Sequence, residues 1–142
     1  MERTQITPTF FVAGGVTSDD ASEIAGTGVQ MVIGAAPDRE STEPTDSDLM
    51  ARHLAAQDVA FRHIPVVIGL ITPEQISAFR AALDEADGPV LAYCHSGLRA
   101  ALLWALARRD TLGDGVVIGL TAKAGFDIAP YLDDQMDALE AA

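Results

Sequence analysis

The residues with the most chemistry in them stand together, in the run Cys94-His95-Ser96-Gly97-Leu98-Arg99. Cys94 is the single cysteine of the chain. It follows the apolar run Val90-Leu91-Ala92-Tyr93 and precedes helix formers that begin at Leu98. A strand that turns into a helix there sets the loop amides at a helix N-terminus. Unpaired N–H groups and about half a positive charge stabilise an anion at such a place. Gly97 lets the loop bend its amides inward, and Arg99 offers a planar, two-pronged donor to an oxyanion. The same field favours thiolate over thiol; cysteines so placed titrate at ~3.5–7.5 rather than ~8.5. A thiolate beside an anion cradle is equipped to attack phosphorus or sulfur. Cys94 is the expected nucleophile and Arg99 the expected catalytic clamp. His95, Ser96, Gly97, Leu98 and Arg99 are the expected anion-binding residues. The competing reading is a structural cysteine buried at a strand end, a common fate of free Cys.

Other titratable residues form no second constellation. His95 either donates to the bound anion or faces solvent, and Ser96 either meets the thiolate or braces the loop. His63 reads as a strand-end histidine, His53 as a residue of a helix face, and Asp38 and Glu40 as parts of a solvated acidic loop. Three scattered His and one Cys lack metal-ligand spacing, so neither a metal nor a cofactor is expected.

The elements that must position this loop fit one domain spanning 142 residues, long enough to bury a core. A formal net charge of -12 argues against nucleic acid or an anionic membrane as partner. A local positive pocket survives inside such a surface. The N-terminal apolar run is too short for a signal sequence. No stretch approaches the ~20 apolar residues of a membrane span, so a cytoplasmic protein is expected. One cysteine excludes an internal disulfide. The apolar C-terminal segments leave room for a homodimer.

Short apolar runs alternate with helix-like segments, which predicts an α/β fold, a central and mostly parallel sheet flanked by helices. Strands are expected at residues 10–12, 29–33, 61–66 and 90–93, with Pro65 confining its strand to a terminal or partly unpaired position. Helices are expected at 18–25, from 46 or 47 to 57, 98–109, 116–122 and 131–141. The clearest begins after Thr72, with Pro73 at the first helical position and Gln75 completing a capping box.

The run Tyr93-Cys94-His95-Ser96-Gly97-Leu98-Arg99-Ala100 resembles the active-site loop of the phosphatase-like domain of beta-lactamase hydrolase-like proteins. Further segments are similar: Val12-Ala13-Gly14-Gly15-Val16 with Ser18-Asp19-Asp20, Val32-Ile33 with Pro37-Asp38-Arg39-Glu40, His63-Ile64-Pro65-Val66 with Thr72-Pro73-Glu74, and Gly125-Phe126-Asp127. The resemblance implies a fold like that of the compact dual-specificity phosphatases. Three departures stand out. Gly34-Ala35-Ala36 replaces the Asn and Arg often found after the second strand, His95 replaces the usual Arg, and Ala100 replaces a common hydroxyl residue. Some relatives are fused to a metallo-β-lactamase-like persulfide dioxygenase. No His-x-His-x-Asp-His motif occurs in this sequence, and a role in persulfide handling is implied by the resemblance alone.

Two features point from phosphorus toward sulfur. Four residues separate Cys94 from Arg99, one fewer than in protein tyrosine phosphatases, and single-domain rhodaneses carry similar loops. A smaller ring of amides suits a sulfane sulfur better than a tetrahedral phosphate. Dual-specificity phosphatases also place an acidic proton donor soon after an Ile-Pro-Val-like strand end. Here the run Ile64-Pro65-Val66-Val67-Ile68-Gly69-Leu70-Ile71 holds none before Glu74. The expectation is a sulfurtransferase with a persulfide on Cys94. The alternatives are a cysteine-dependent phosphatase and a non-catalytic anion-binding module. The expected partner is a small anionic substrate: thiosulfate, a persulfide or a phosphoester.

Overall fold

The β-branched and aromatic runs of the sequence become strands of one sheet. The computed structural model describes residues 1–38 and 46–141; Arg39 and Glu40 of the acidic loop lie outside them. The strands are β1 (Arg3–Thr7), β2 (Phe10–Gly14), β3 (Met31–Gly34), β4 (Ala60–His63) and β5 (Val90–Cys94), in the spatial order β1-β2-β5-β3-β4. All neighbours pair in parallel except β1, which runs antiparallel to β2. The expected mostly parallel sheet is present. β1 itself went unforeseen, because only Ile6 of its five residues is buried and an edge strand carries little apolar signal. β4 is the other edge and stops at His63, before Pro65.

Among the described residues six α-helices cover the sheet: α1 (Ala21–Gly26), α2 (Asp46–Ala55), α3 (Pro73–Glu85), α4 (Leu98–Leu112), α5 (Asp114–Lys123) and α6 (Ala129–Ala141). A short 3-10 turn, Ser18–Asp20, leads into α1. Thr17, rather than Ser18, begins that segment, its backbone N–H donating to Asp20 Oδ2 at 2.9 Å, while Ser18 is buried. At α3 the capping box forms as read: Gln75 N–H donates to Thr72 Oγ1 at 3.2 Å and Thr72 N–H to Gln75 Oε1 at 2.9 Å. Between α4 and α5, Arg109 grips Asp114 through two 2.8 Å bonds. Those hydrogen bonds, helped by the guanidinium charge and opposed by desolvation, hold the Asp114 carboxyl below its usual range.

Alternation along β5 divides the core. Leu91 and Tyr93 face α1 and α2, with Ile24, Val32, Met50 and Leu54. Val90, Ala92 and Cys94 face the opposite layer, with Phe79 of α3 and Leu103 of α4. Residues Ala100 to Ala107 of α4 are all buried, and its alanines let the helix lie close to the strands. Trp104 stacks on Phe10 at 5.7 Å, and Phe10 meets Phe79 edge-on at 6.0 Å. Such pairs contribute about 0.5–1.5 kcal/mol each beyond area burial. Among the described residues no helix is long and apolar enough to cross a membrane.

Candidate active site

β5 is the middle strand, buried along its whole length. Its parallel neighbours β2 and β3 flank it, and open parallel sheets take ligands in a crevice at the carboxyl ends of their strands. Cys94 closes β5 at that end, opposite Gly14 of β2. The turn that follows delivers the chain into α4, whose N-cap is Gly97 at φ 92°. That left-handed conformation suits glycine and strains other residues. It turns the Gly97 amide back onto the cysteine, where it donates to Sγ at 3.1 Å. The first turn of α4 contains no acidic residue, so its positive end is not neutralised there.

All six residues singled out from the sequence lie at the end of β5, in this turn and in the first turn of α4. Cys94 is 3% exposed, sunk at the base of the turn. His95 and Ser96 are exposed at its crest. Ser96 Oγ accepts from Leu98 N–H at 3.3 Å, the loop-bracing role of the two it was offered. Gly97 is buried, and Leu98 is half-buried against the core. Arg99 reaches sideways, its Nη1 donating to the Val66 carbonyl at 3.2 Å. That bond ties the guanidinium to the segment between β4 and α3.

Three contributors were not singled out by spacing. Gly14 lies so close beneath the loop that a β-carbon there would stand 2.7 Å from the His95 carbonyl oxygen and 2.9 Å from Ser96 Cα. The doubled Gly14-Gly15 was the available signal, since glycine in a strand often marks close backbone approach. The second is the segment 65–71 itself. Gln75 Nε2 donates to the Pro65 carbonyl at 3.0 Å, Arg99 holds Val66, and Ile71 exchanges two bonds with the buried Gln135 side chain at 3.2 and 2.9 Å. The third is Phe126, whose ring abuts Gly97.

The remaining described candidates make contacts within the fold. His63 Nε2 donates to the Ala36 carbonyl at 3.0 Å; a carbonyl can only accept, which fixes the hydrogen on that nitrogen. Asp38 accepts from the backbone and hydroxyl of Ser47 at 3.1 and 2.7 Å, bracing the first turn of α2. His53 Nδ1 donates to the Ser18 carbonyl at 2.9 Å. Gly34 is accounted for by Tyr93, whose hydroxyl would stand 2.9 Å from a β-carbon there. A larger residue at this last position of β3 would displace that ring. Along the segment that Arg99 holds, Pro37, Asp38, Pro65, Val67, Leu70 and Gln75 line an open depression of about 300 Å³. Leu70, 72% exposed, stands at its edge.

Residues 2–111 match the model of the beta-lactamase hydrolase-like protein, phosphatase-like domain. A beta-lactamase hydrolase-like protein of Xylella fastidiosa is 30% identical over 96 residues, which cover 68% of this chain and 22% of that protein. The chain thus spans about a fifth of the length of that curated relative. Among solved structures, a candidate phosphatase of Neisseria meningitidis aligns with a TM-score of 0.79 at 28% identity, covering 95% of this chain and 96% of that one. P. aeruginosa TpbA in complex with pTyr aligns at 0.65 and 18% identity, covering 96% and 79%, and speaks for the fold. With more than three quarters of its length matched to one family model, the chain belongs to the phosphatase-like domain family of beta-lactamase hydrolase-like proteins.

Proposed function

We propose that the chain hydrolyses aryl phosphomonoesters through a phosphocysteine on Cys94. The observation that carries this reading is the cradle: the Gly97 amide aimed at Cys94 Sγ, with Arg99 anchored beside it on Val66. The thiolate attacks phosphorus and the P–O bond to the ring breaks, releasing a phenolate that takes its proton from solvent. Water then attacks the phosphocysteine, giving up a proton as phosphate leaves and the thiolate returns. The loop amides and Arg99 bear the charge of the equatorial oxygens in both steps. An aryl leaving group is favoured because residues 66–70 hold no acid; a phenolate departs with less need of a proton donor than an alkoxide. The apolar edge formed by Pro65, Val67 and Leu70 suits a ring. The relatives support the same choice. The Neisseria neighbour is described as a candidate phosphatase and a cysteine-to-serine form of TpbA was captured with pTyr, whereas neither thiosulfate nor a homodimer gains support from them.

The four-residue spacing between Cys94 and Arg99 still favours sulfur transfer, and one set of experiments separates the two. Wild-type protein is expected to release nitrophenolate from 4-nitrophenyl phosphate, with turnover lost in Cys94→Ser while the ester still binds. Absence of turnover from mildly acidic to neutral pH would dispose of the phosphatase reading. A mass gain of one sulfur atom on Cys94 after thiosulfate would put sulfur transfer in its place.

A further inference from the structure

The cradle leans on a residue beyond the part of the chain that the family model matches, residues 2–111. A β-carbon at Gly97 would stand 3.0 Å from Phe126 Cζ, 3.1 Å from Cε1 and 3.8 Å from the Ala13 carbonyl carbon. The ring edge therefore fills the space where any other residue would carry its side chain. Gly97 is wedged between that ring and the backbone of β2. Phe126 is itself a fixed stop. Its N–H donates to the Thr121 carbonyl at 2.8 Å, the buried Thr121 hydroxyl donates to Val117 at 2.8 Å, and Ile128, two residues on, is fully buried.

We propose that Phe126 is a positioning residue for the anion cradle, holding Gly97 so that its amide stays aimed at the Cys94 sulfur and at a bound oxyanion. Glycine has the widest backbone freedom of any residue, and Gly97 has no side chain with which to anchor itself. The ring supplies the missing restraint from outside. Residues 113–128 thereby become part of the site, although no atom of theirs is asked to touch substrate. The proposal rests on the cradle binding an oxyanion; only its turnover arm rests on the phosphatase reading.

The test uses the full chain and inorganic phosphate as probe, read as protection of Cys94 from iodoacetamide, alongside kcat and KM for 4-nitrophenyl phosphate. Phe126→Ala is expected to weaken phosphate binding about tenfold and to lower kcat, the scale of losing one preorganised donor in part. Phe126→Leu, which keeps apolar bulk, is expected to lose about threefold and serves alone if the alanine variant does not fold. Phe79→Leu, in the core against Phe10 and away from the loop, supplies the stability control. It is expected to lower the urea midpoint, followed by Trp104 fluorescence, with phosphate affinity unchanged. Folded Phe126 variants that bind phosphate as wild type does would overturn the proposal. A rise confined to KM for the aryl ester would also overturn it, since that marks substrate contact. Wild-type protein without phosphate protection would remove the cradle and the proposal together. Protection without turnover would sink the phosphatase reading alone and leave the Phe126 comparison standing.

Discussion

At the scale of the residue, the site depends as much on what is missing as on what is present. Gly97 takes a backbone angle that other residues resist, and Gly14 yields the room in which the loop crosses β2. The atoms that a Gly14 side chain would meet are backbone atoms of His95 and Ser96, which cannot swing aside as the tip of a flexible chain can. Gly14→Ala is therefore expected to push the loop off β2. Overpacking of this kind costs about 1–3 kcal/mol, and a displacement near 1 Å at reacting groups costs about a hundredfold in rate. Measured kcat/KM on an aryl phosphate within a few-fold of wild type would show that the loop absorbs the methyl group. The placing of Cys94 and Arg99 together at a strand-to-helix turn was legible because it follows from residue types a few positions apart. The contributions of Gly14 and Phe126 were not, because each acts across a gap that only the folded chain closes.

At the scale of the element, the sequence signals split by burial. α3 was readable to its first residue, since Thr72, Pro73 and Gln75 specify a helix start from local bonds alone. β5 was readable because five consecutive buried positions demand an apolar run. β1 was not: one buried residue at an antiparallel edge leaves no pattern to read. Nor did any local signal announce that Gln135 of α6 would satisfy both backbone groups of Ile71. That contact carries a clear expectation. Gln135→Ala strands a buried N–H and a buried carbonyl, at about 1–3 kcal/mol for each unpaired group. Urea denaturation should show the lower midpoint, and an unchanged midpoint would mean that the segment relaxes toward solvent.

At the scale of the whole molecule, a chain of net charge -12 sets one helix N-terminus and one arginine at the cradle. A phosphate ester approaching it meets repulsion first and attraction last. Raising ionic strength from about 0.01 to 0.15 M shortens the screening length from about 30 to 8 Å. The long-range repulsion is screened more than the contacts within the cradle, so kcat/KM for an anionic ester is expected to rise with salt. A fall over that range would mean that the cradle's own field dominates the approach. The sheet order that sets β5 at the centre also decides how the site behaves in time. In many phosphoryl-transfer sites a segment beside the nucleophile folds over the substrate and opens again to let product go. Here the corresponding segment is fastened at Pro65, Val66 and Ile71 by side chains from α3, α4 and α6. Those helices also form the core. A wall stitched to the core in this way is expected to hold one position, so in the proposed reaction turnover is expected to follow the bond-breaking events at Cys94 rather than a movement of residues 65–71.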